Sequence, residues 1–100
     1  MMRVPVSRTS RAEEDLIEIW LYIAEESPAA ADRLLDKIDA RLQQLSAMPL
    51  SGPPRDDLVL GARHLVIGNF LAFYRVEEIG VVVTRVMYGG RYITSDDVDS

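Results

Sequence analysis

The chain has 100 residues, no cysteine, 48% hydrophobic residues and a net charge of −5 at neutral pH. This length and composition predict one folded domain with a small core, and they exclude a disordered regulator. The lack of cysteine excludes disulfides and thiolate metal sites, and we expect no metal and no cofactor. No apolar run approaches the ~20 residues that span a bilayer, and the start has no signal-peptide core. We therefore expect a cytoplasmic protein with no membrane partner.

The charges are unevenly distributed along the sequence. Residues 10–48 carry nine acids and four bases, whereas residues 49–92 carry four acids and five bases. The second half could form a local basic site, but the acidic total opposes a strong grip on phosphates. We expect a protein partner and no direct sequence-specific DNA binding by the chain alone.

The first half predicts an edge strand followed by two helices. Arg3–Ser7 alternates weakly and contains proline, which favours a strand at a sheet edge. Ser10–Glu13 matches a capping box, so a helix should begin at Ser10. Ser27 and Pro28 suit the N-cap and first position of a second helix that runs to about Met48. The short connection predicts an antiparallel helical hairpin over about residues 10–48.

The second half predicts a sheet. Met48–Arg55 holds three of the five prolines and predicts a stiff, exposed linker. Runs rich in β-branched and aromatic residues then predict a three-stranded antiparallel meander within about residues 62–92, with strands at Ala62–Ile67, Phe70–Glu77 and Val81–Tyr88. Gly68-Asn69 suits a two-residue turn because both residues tolerate positive φ. Residues 93–100 predict a short, acidic, mobile tail.

The resulting order of elements is β-α-α-β-β-β, an α+β fold in one domain. The chain resembles the RelE/ParE superfamily of toxins from bacterial toxin–antitoxin systems, and within it the ParE branch. Six segments carry the resemblance in the same order and with matching gaps, including R-H-L-V-I-G-N-F-L-A-F-Y-R-V and T-R-V-M-Y-G-G-R: Ser10–Leu16, Ile19–Ile23, Ser27–Ala31, Leu45–Arg55, Arg63–Val76 and Thr84–Arg91.

The resemblance implies a small toxin that a cognate ParD-like antitoxin neutralises. ParE-like toxins poison DNA gyrase, whereas RelE-like toxins cut mRNA on the ribosome. A degenerate toxin that acts only as a co-repressor with its antitoxin is a third alternative. Toxins with these different activities share one fold, so only the individual residues can distinguish the activities.

A ribonuclease needs an acid, a base and cations around the phosphate. The candidates are His64, Arg85 and Tyr88, and the single lysine, Lys37, lies in the second helix. No carboxylate accompanies them at a convincing position. We therefore favour a non-enzymatic gyrase inhibitor, with the ribonuclease as the alternative.

Two partner surfaces are predicted. The target surface is expected to include arginines and aromatics of the sheet half, although Arg75 could instead pair with an acid of the first helix: Arg63, Arg75, Arg85, Tyr88, Arg91 and Tyr92. The apolar stripe of the first helix around Leu16, Trp20 and Ile23 is expected to be mainly core, and the antitoxin is expected to fold onto its exposed margins.

Overall fold

The computed structural model describes residues 3–90 and 93–98, and it confirms the α+β single-domain fold. Strand β1 is followed by two helices, a 3₁₀ turn at Gln44–Ser46, three strands and a short C-terminal helix: β1 (Val6–Arg8), α1 (Ser10–Ala24), α2 (Pro28–Gln43), β2 (Ala62–Ile67), β3 (Phe70–Glu77), β4 (Gly80–Tyr88) and α3 (Ser95–Val98). The strands form one mixed sheet in the order β1-β4-β3-β2. Strand β1 lies parallel to β4, and the other pairs are antiparallel.

The first helix begins at Ser10 as predicted, but its N-cap differs by one residue from the predicted capping box. Thr9, not Ser10, is the N-cap, and its hydroxyl accepts a hydrogen bond from the Ala12 N–H at 3.1 Å. Thr9 is also bound to the sheet, because its N–H donates to Val83 O at 3.0 Å and its hydroxyl donates to Thr84 O at 3.1 Å. These bonds fix the position at which the chain leaves β1 and enters α1.

The second helix begins as predicted and ends earlier than predicted. Ser27 Oγ accepts a hydrogen bond from the Ala30 N–H at 3.1 Å, and Pro28 occupies the first helical turn. The α-helix ends at Gln43, and the following 3₁₀ turn continues to Ser46. Both helices pack on one face of the sheet, where Leu16, Ile38 and Tyr74 belong to the larger of two apolar clusters.

The opposite face of the sheet carries a second, smaller apolar cluster. Ala62, Phe73, Met87 and Val98 are buried there, and residues 58 and 59 pack against them. Val98 of α3 is only 5% exposed. The prediction of a mobile tail is therefore wrong for residues 95–98, because α3 covers apolar side chains of β3 and β4.

The proline-rich linker is attached to the sheet. Gly52 is buried, and its N–H donates to the Tyr74 hydroxyl at 2.9 Å. That hydroxyl donates in turn to Pro49 O at 2.9 Å. A Cβ on Gly52 would lie 2.3 Å from His64 O, so the close approach requires glycine. The prediction of an exposed linker is wrong at Gly52.

The turn between β2 and β3 has the predicted two-residue length. Gly68 adopts a positive φ of 59°, and Asn69 does not adopt a positive φ. The next connection is equally short, since Glu77 pairs with Gly80 across it. These two turns produce the predicted meander, and they place β2 at the edge of the sheet furthest from β1.

Candidate functional site

A β-bulge controls the surroundings of Arg85. Phe73 pairs with Arg85 while Tyr74 pairs with Val83, so Thr84 is the extra residue on β4. Arg85 is 5% exposed. Its guanidinium donates to the Asp15 carboxylate of α1, from Nε at 2.7 Å and from Nη2 at 3.1 Å. Nη1 donates to the carbonyl oxygen of Asp97 in α3.

This arrangement corrects the expectation that Arg85 lies on a target surface. The guanidinium joins α1, β4 and α3, and its hydrogen bond to the Asp15 carboxylate is the main cause that raises the pKa of Arg85. The Asp15 carboxylate also accepts a hydrogen bond from the Val86 N–H at 2.9 Å. It thereby occupies the place of a neighbouring strand at this point of the β4 edge.

The sequence interpretation missed Asp15. Asp15 lies between Ala12 and Leu16 on the apolar stripe of α1. A carboxylate on a buried helical face requires a partner, which is the signal that could have identified it. The sequence left open an ion pair between Arg75 and an acid of the first helix. Asp15 of that helix pairs with Arg85 instead. Arg75 is exposed and pairs with Glu77 of its own strand.

His64 lies on the face opposite the two long helices. Its ring makes an edge contact with Phe73 at a centroid distance of 6.1 Å. Arg55 Nη1 lies 3.4 Å from His64 Nδ1, and Asp57 holds the Arg55 guanidinium at 3.0 Å. Burial, followed by the charge of Arg55, lowers the pKa of His64. Both effects favour the neutral form of the imidazole.

Tyr88 lies on the other face of the sheet. It is 55% exposed, and its ring makes an edge contact with its cross-strand neighbour Phe70 at 6.2 Å. Phe70 packs against the helix-side cluster, whereas Phe73 belongs to the opposite cluster. His64 and Tyr88 are therefore on opposite faces of one sheet. The three ribonuclease candidates do not come together, because Arg85 and Tyr88 line one groove and His64 lies on the opposite face.

Among the described target-surface residues, Arg63, Arg75 and Tyr88 are not grouped in one patch. Arg63 Nη1 donates to Leu50 O at 3.3 Å and to Gly52 O at 2.7 Å, so this guanidinium holds the linker. Arg75 and Tyr88 are exposed. Arg91 and Tyr92 lie outside the described residues.

A groove lies between α1 and the second half of β4. Its volume is about 690 Å³. Its apolar lining comes from α1 on one side and from the sheet on the other: Ile19, Tyr22, Ile23, Phe70, Met87 and Tyr88. Because β1 pairs only with Val81–Val83, the end of β4 beside this groove has β3 on one side and no strand of the described residues on the other.

Of the three residues expected to bind an antitoxin, only Ile23 lines this groove. Leu16 is 3% exposed and belongs to the core, which corrects the expectation that it lies at an exposed margin. Trp20 is half-buried, and its Nε1–H donates to Asp32 of α2 at 2.8 Å. The sequence interpretation did not include Tyr22, which is 77% exposed at the mouth of the groove.

Within residues 3–90 and 93–98, no group of three or more histidine, cysteine or acidic side chains could hold a metal ion. No helix in the same residues is long and apolar enough to cross a membrane.

The comparisons with known proteins give the family of this chain. Residues 6–92 match the family model described as the ParE toxin of the type II toxin–antitoxin system parDE. The chain therefore belongs to the ParE toxin family of type II toxin–antitoxin systems. No curated protein gave a significant sequence match.

Two solved structures share the fold. One belongs to the chromosomal ParDE toxin–antitoxin system of P. aeruginosa, with 24% identity and a TM-score of 0.75 over 86% of this chain and 96% of that chain. The other belongs to the RelBE2 toxin–antitoxin complex of Mycobacterium tuberculosis, with 22% identity and a TM-score of 0.64 over 87% of this chain and 99% of that chain. At these identities, the similarity shows the fold alone.

Proposed function

We propose that this ParE-family protein inhibits DNA gyrase without an enzymatic activity of its own, and that a ParD-like antitoxin neutralises it. The observation that carries the proposal is the separation of His64 and Tyr88 onto opposite faces of the sheet. An inhibitor of gyrase would act in the cytoplasm, where the chromosome is supercoiled.

The geometry supports an inhibitor over a ribonuclease for a simple reason. General acid and base must both reach the reacting groups within hydrogen-bond distance, directly or through one water. A substrate on one face of the sheet cannot contact both His64 and Tyr88. The cation that would stabilise the phosphate, Arg85, already forms an ion pair with Asp15, with Nε 2.7 Å from the carboxylate. A target-binding surface needs no such convergence, since a few arginines and aromatics can supply most of the binding energy.

The groove beside β4 supports an antitoxin partner. It exposes Tyr22 and Tyr88 next to the less exposed Ile19 and Ile23. An amphipathic segment that folds on binding needs such an apolar groove. Two solved relatives in fold come from a ParDE system and a RelBE2 toxin–antitoxin complex, which is consistent with this kind of partner.

The deciding experiment measures gyrase and ribosome activity with the same purified protein. We expect inhibition of supercoiling and linear plasmid after denaturation of the gyrase–DNA complex, with mRNA intact in a translation reaction. His64→Ala should inhibit gyrase as the wild type does. Arg75→Glu should weaken inhibition, whereas Arg11→Glu, an equal charge change at an exposed position of α1, should not.

The ribonuclease alternative predicts a different pattern. Cleavage of mRNA in translating ribosomes, lost by ~10²-fold or more in His64→Ala or Tyr88→Phe, together with unaffected gyrase would overturn the proposal. Arg85 is unsuitable as a test of target contact, because its substitution breaks a buried ion pair and destabilises the fold.

A further inference from the structure

The charges of α2 are separated onto two sides of its buried stripe. Successive helical residues are about 100° apart, so residues at spacings of three and four share a side. The basic side carries Arg33, Lys37 and Arg41, and the acidic side carries Asp32, Asp36 and Asp39. Buried Ile38 and Leu42 lie between them.

The acidic side is used inside the domain. Asp32 accepts a hydrogen bond from Trp20 Nε1–H at 2.8 Å, which connects α2 to α1. Asp39 forms an ion pair with Arg8 at the end of β1. These carboxylates therefore have structural partners, and the acidic side helps to hold the helical hairpin and the first strand together.

The basic side has no such partner. Within residues 3–90 and 93–98, Arg33, Lys37 and Arg41 form no ion pair with a carboxylate, although the chain carries an excess of acids. Arg41 donates to Gln44 Oε1 at 2.6 Å and to Val66 O at 3.3 Å. Like charges four residues apart on a helix repel each other. An anionic partner would therefore stabilise the basic side by reducing the repulsion between its three cations.

The basic side adjoins the open end of the β2 edge. Lys37 Nζ lies 3.6 Å from the position that a Cβ on Gly68 would occupy. The first half of the β2 edge is covered, because His64 N–H donates to Pro53 O and Ala62 O accepts from Arg55 N–H. The N–H of Val66 points the same way as that of His64, since backbone groups alternate along a strand. This N–H has no acceptor among the described residues, and the Val66 side chain is 58% exposed.

We propose that this surface, the basic edge formed by Arg33, Lys37, Arg41 and the strand end Val66–Gly68, binds an extended acidic segment of a protein partner. Acidic side chains at alternate positions would face the three cations, and a backbone carbonyl would accept the free N–H of Val66. Duplex DNA fits less well, because a protein of net charge −5 with three bases cannot neutralise the six to ten phosphates of a typical DNA interface. The basic edge goes beyond the proposed function, because it is separate from the groove beside β4 and does not depend on gyrase.

The test is an NMR titration of the ¹⁵N-labelled full chain with an eight-residue peptide of alternating glutamate and valine. We expect the largest amide shifts at Val66 and Gly68, and binding that weakens as salt rises from 50 to 300 mM. Lys37→Glu and Arg41→Glu should each weaken binding by about fivefold, because an attractive exposed contact becomes repulsive. Arg11→Glu changes the net charge equally on α1 and should leave the affinity unchanged.

Several results would overturn the proposal. An equal loss in Lys37→Glu and Arg11→Glu would show a response to net charge only, and a peptide of alternating lysine and valine that binds as well would exclude an acidic ligand. A 20-base-pair duplex that shifts the same amides at lower concentration would assign the surface to nucleic acid. Shifts at Val66 without peptide that grow with protein concentration would assign it to a second copy of the chain. No shift at 1 mM peptide would refute the site outright, whether or not the protein inhibits gyrase.

Discussion

Substitution of Asp15 is expected to destabilise the fold more than substitution of any other polar side chain described above. Asp15→Ala would leave the Arg85 guanidinium buried without its carboxylate and would remove the acceptor of the Val86 N–H. The side chains of Asp15 and Arg85 are 7% and 6% exposed, so water cannot replace the lost partner. Breaking a buried pair from one side costs about 3–5 kcal/mol. Domains of this size have about 5–15 kcal/mol of stability, so the variant loses a large part of it.

Urea denaturation followed by circular dichroism measures this loss. On heating, the melting temperature should fall by about 12–40 °C, since 1 kcal/mol corresponds to roughly 4–8 °C in a domain of this length. Glu14→Ala removes an equal charge from an exposed position of the same helical turn and should change stability by less than ~0.5 kcal/mol. The double variant Asp15→Leu with Arg85→Met should recover much of the loss, because apolar side chains can replace a buried ion pair. An Asp15→Ala cost below ~1 kcal/mol would refute the reasoning.

Three further outcomes follow from the structure. Tyr74→Phe should cost about 1–3 kcal/mol in urea denaturation, because the Gly52 N–H loses its buried acceptor; a cost near zero would show that water replaces the hydroxyl. Deleting residues 95–100 should cost more than ~1.5 kcal/mol because Val98 is buried, whereas a mobile tail would cost ~0.5 or less. The free energy of unfolding should fall as pH drops from 7.5 to 5.5, because the pKa of His64 is lower in the folded chain. The unfolded chain therefore binds more protons than the folded chain below pH 6.5. His64→Gln should flatten this pH dependence.

The sheet could be predicted from the sequence because its turns are marked by residues that interrupt strands. Gly68-Asn69 and the segment after Glu77 fix both hairpins, and the strand bounds followed from them. The environment of Arg85 could not be predicted, because the bulge at Thr84 shifts the alternation of β4 and no residue type marks it. A regular strand would have kept Arg85 on the face of Val81 and Val83, whereas the bulge places Val86 on that face and pairs Arg85 with Phe73.

The surroundings of the candidate site could also be predicted only in part. Ile23 was predicted as part of an antitoxin surface because its helical spacing was visible, and it does line the groove. Leu16 has the same spacing but lies in the core, since the position of β4 decides which part of the α1 stripe stays open. The cover on the opposite face was not predicted either. It combines residues 58 and 59 with Val98, segments that are remote in sequence and show no periodicity.

The Asp15 carboxylate also limits how a partner strand could pair with β4. Thr9 binds Val83 O and Thr84 O, and Asp15 binds the Val86 N–H, so the edge is occupied by the chain itself up to Val86. The remaining edge ends at Tyr88, which is too short for a ladder of several hydrogen bonds. An antitoxin segment in this groove must therefore gain most of its affinity from apolar side chains placed against Tyr22 and Phe70. Tyr22→Ala should weaken such a complex more than any change that affects only the backbone edge.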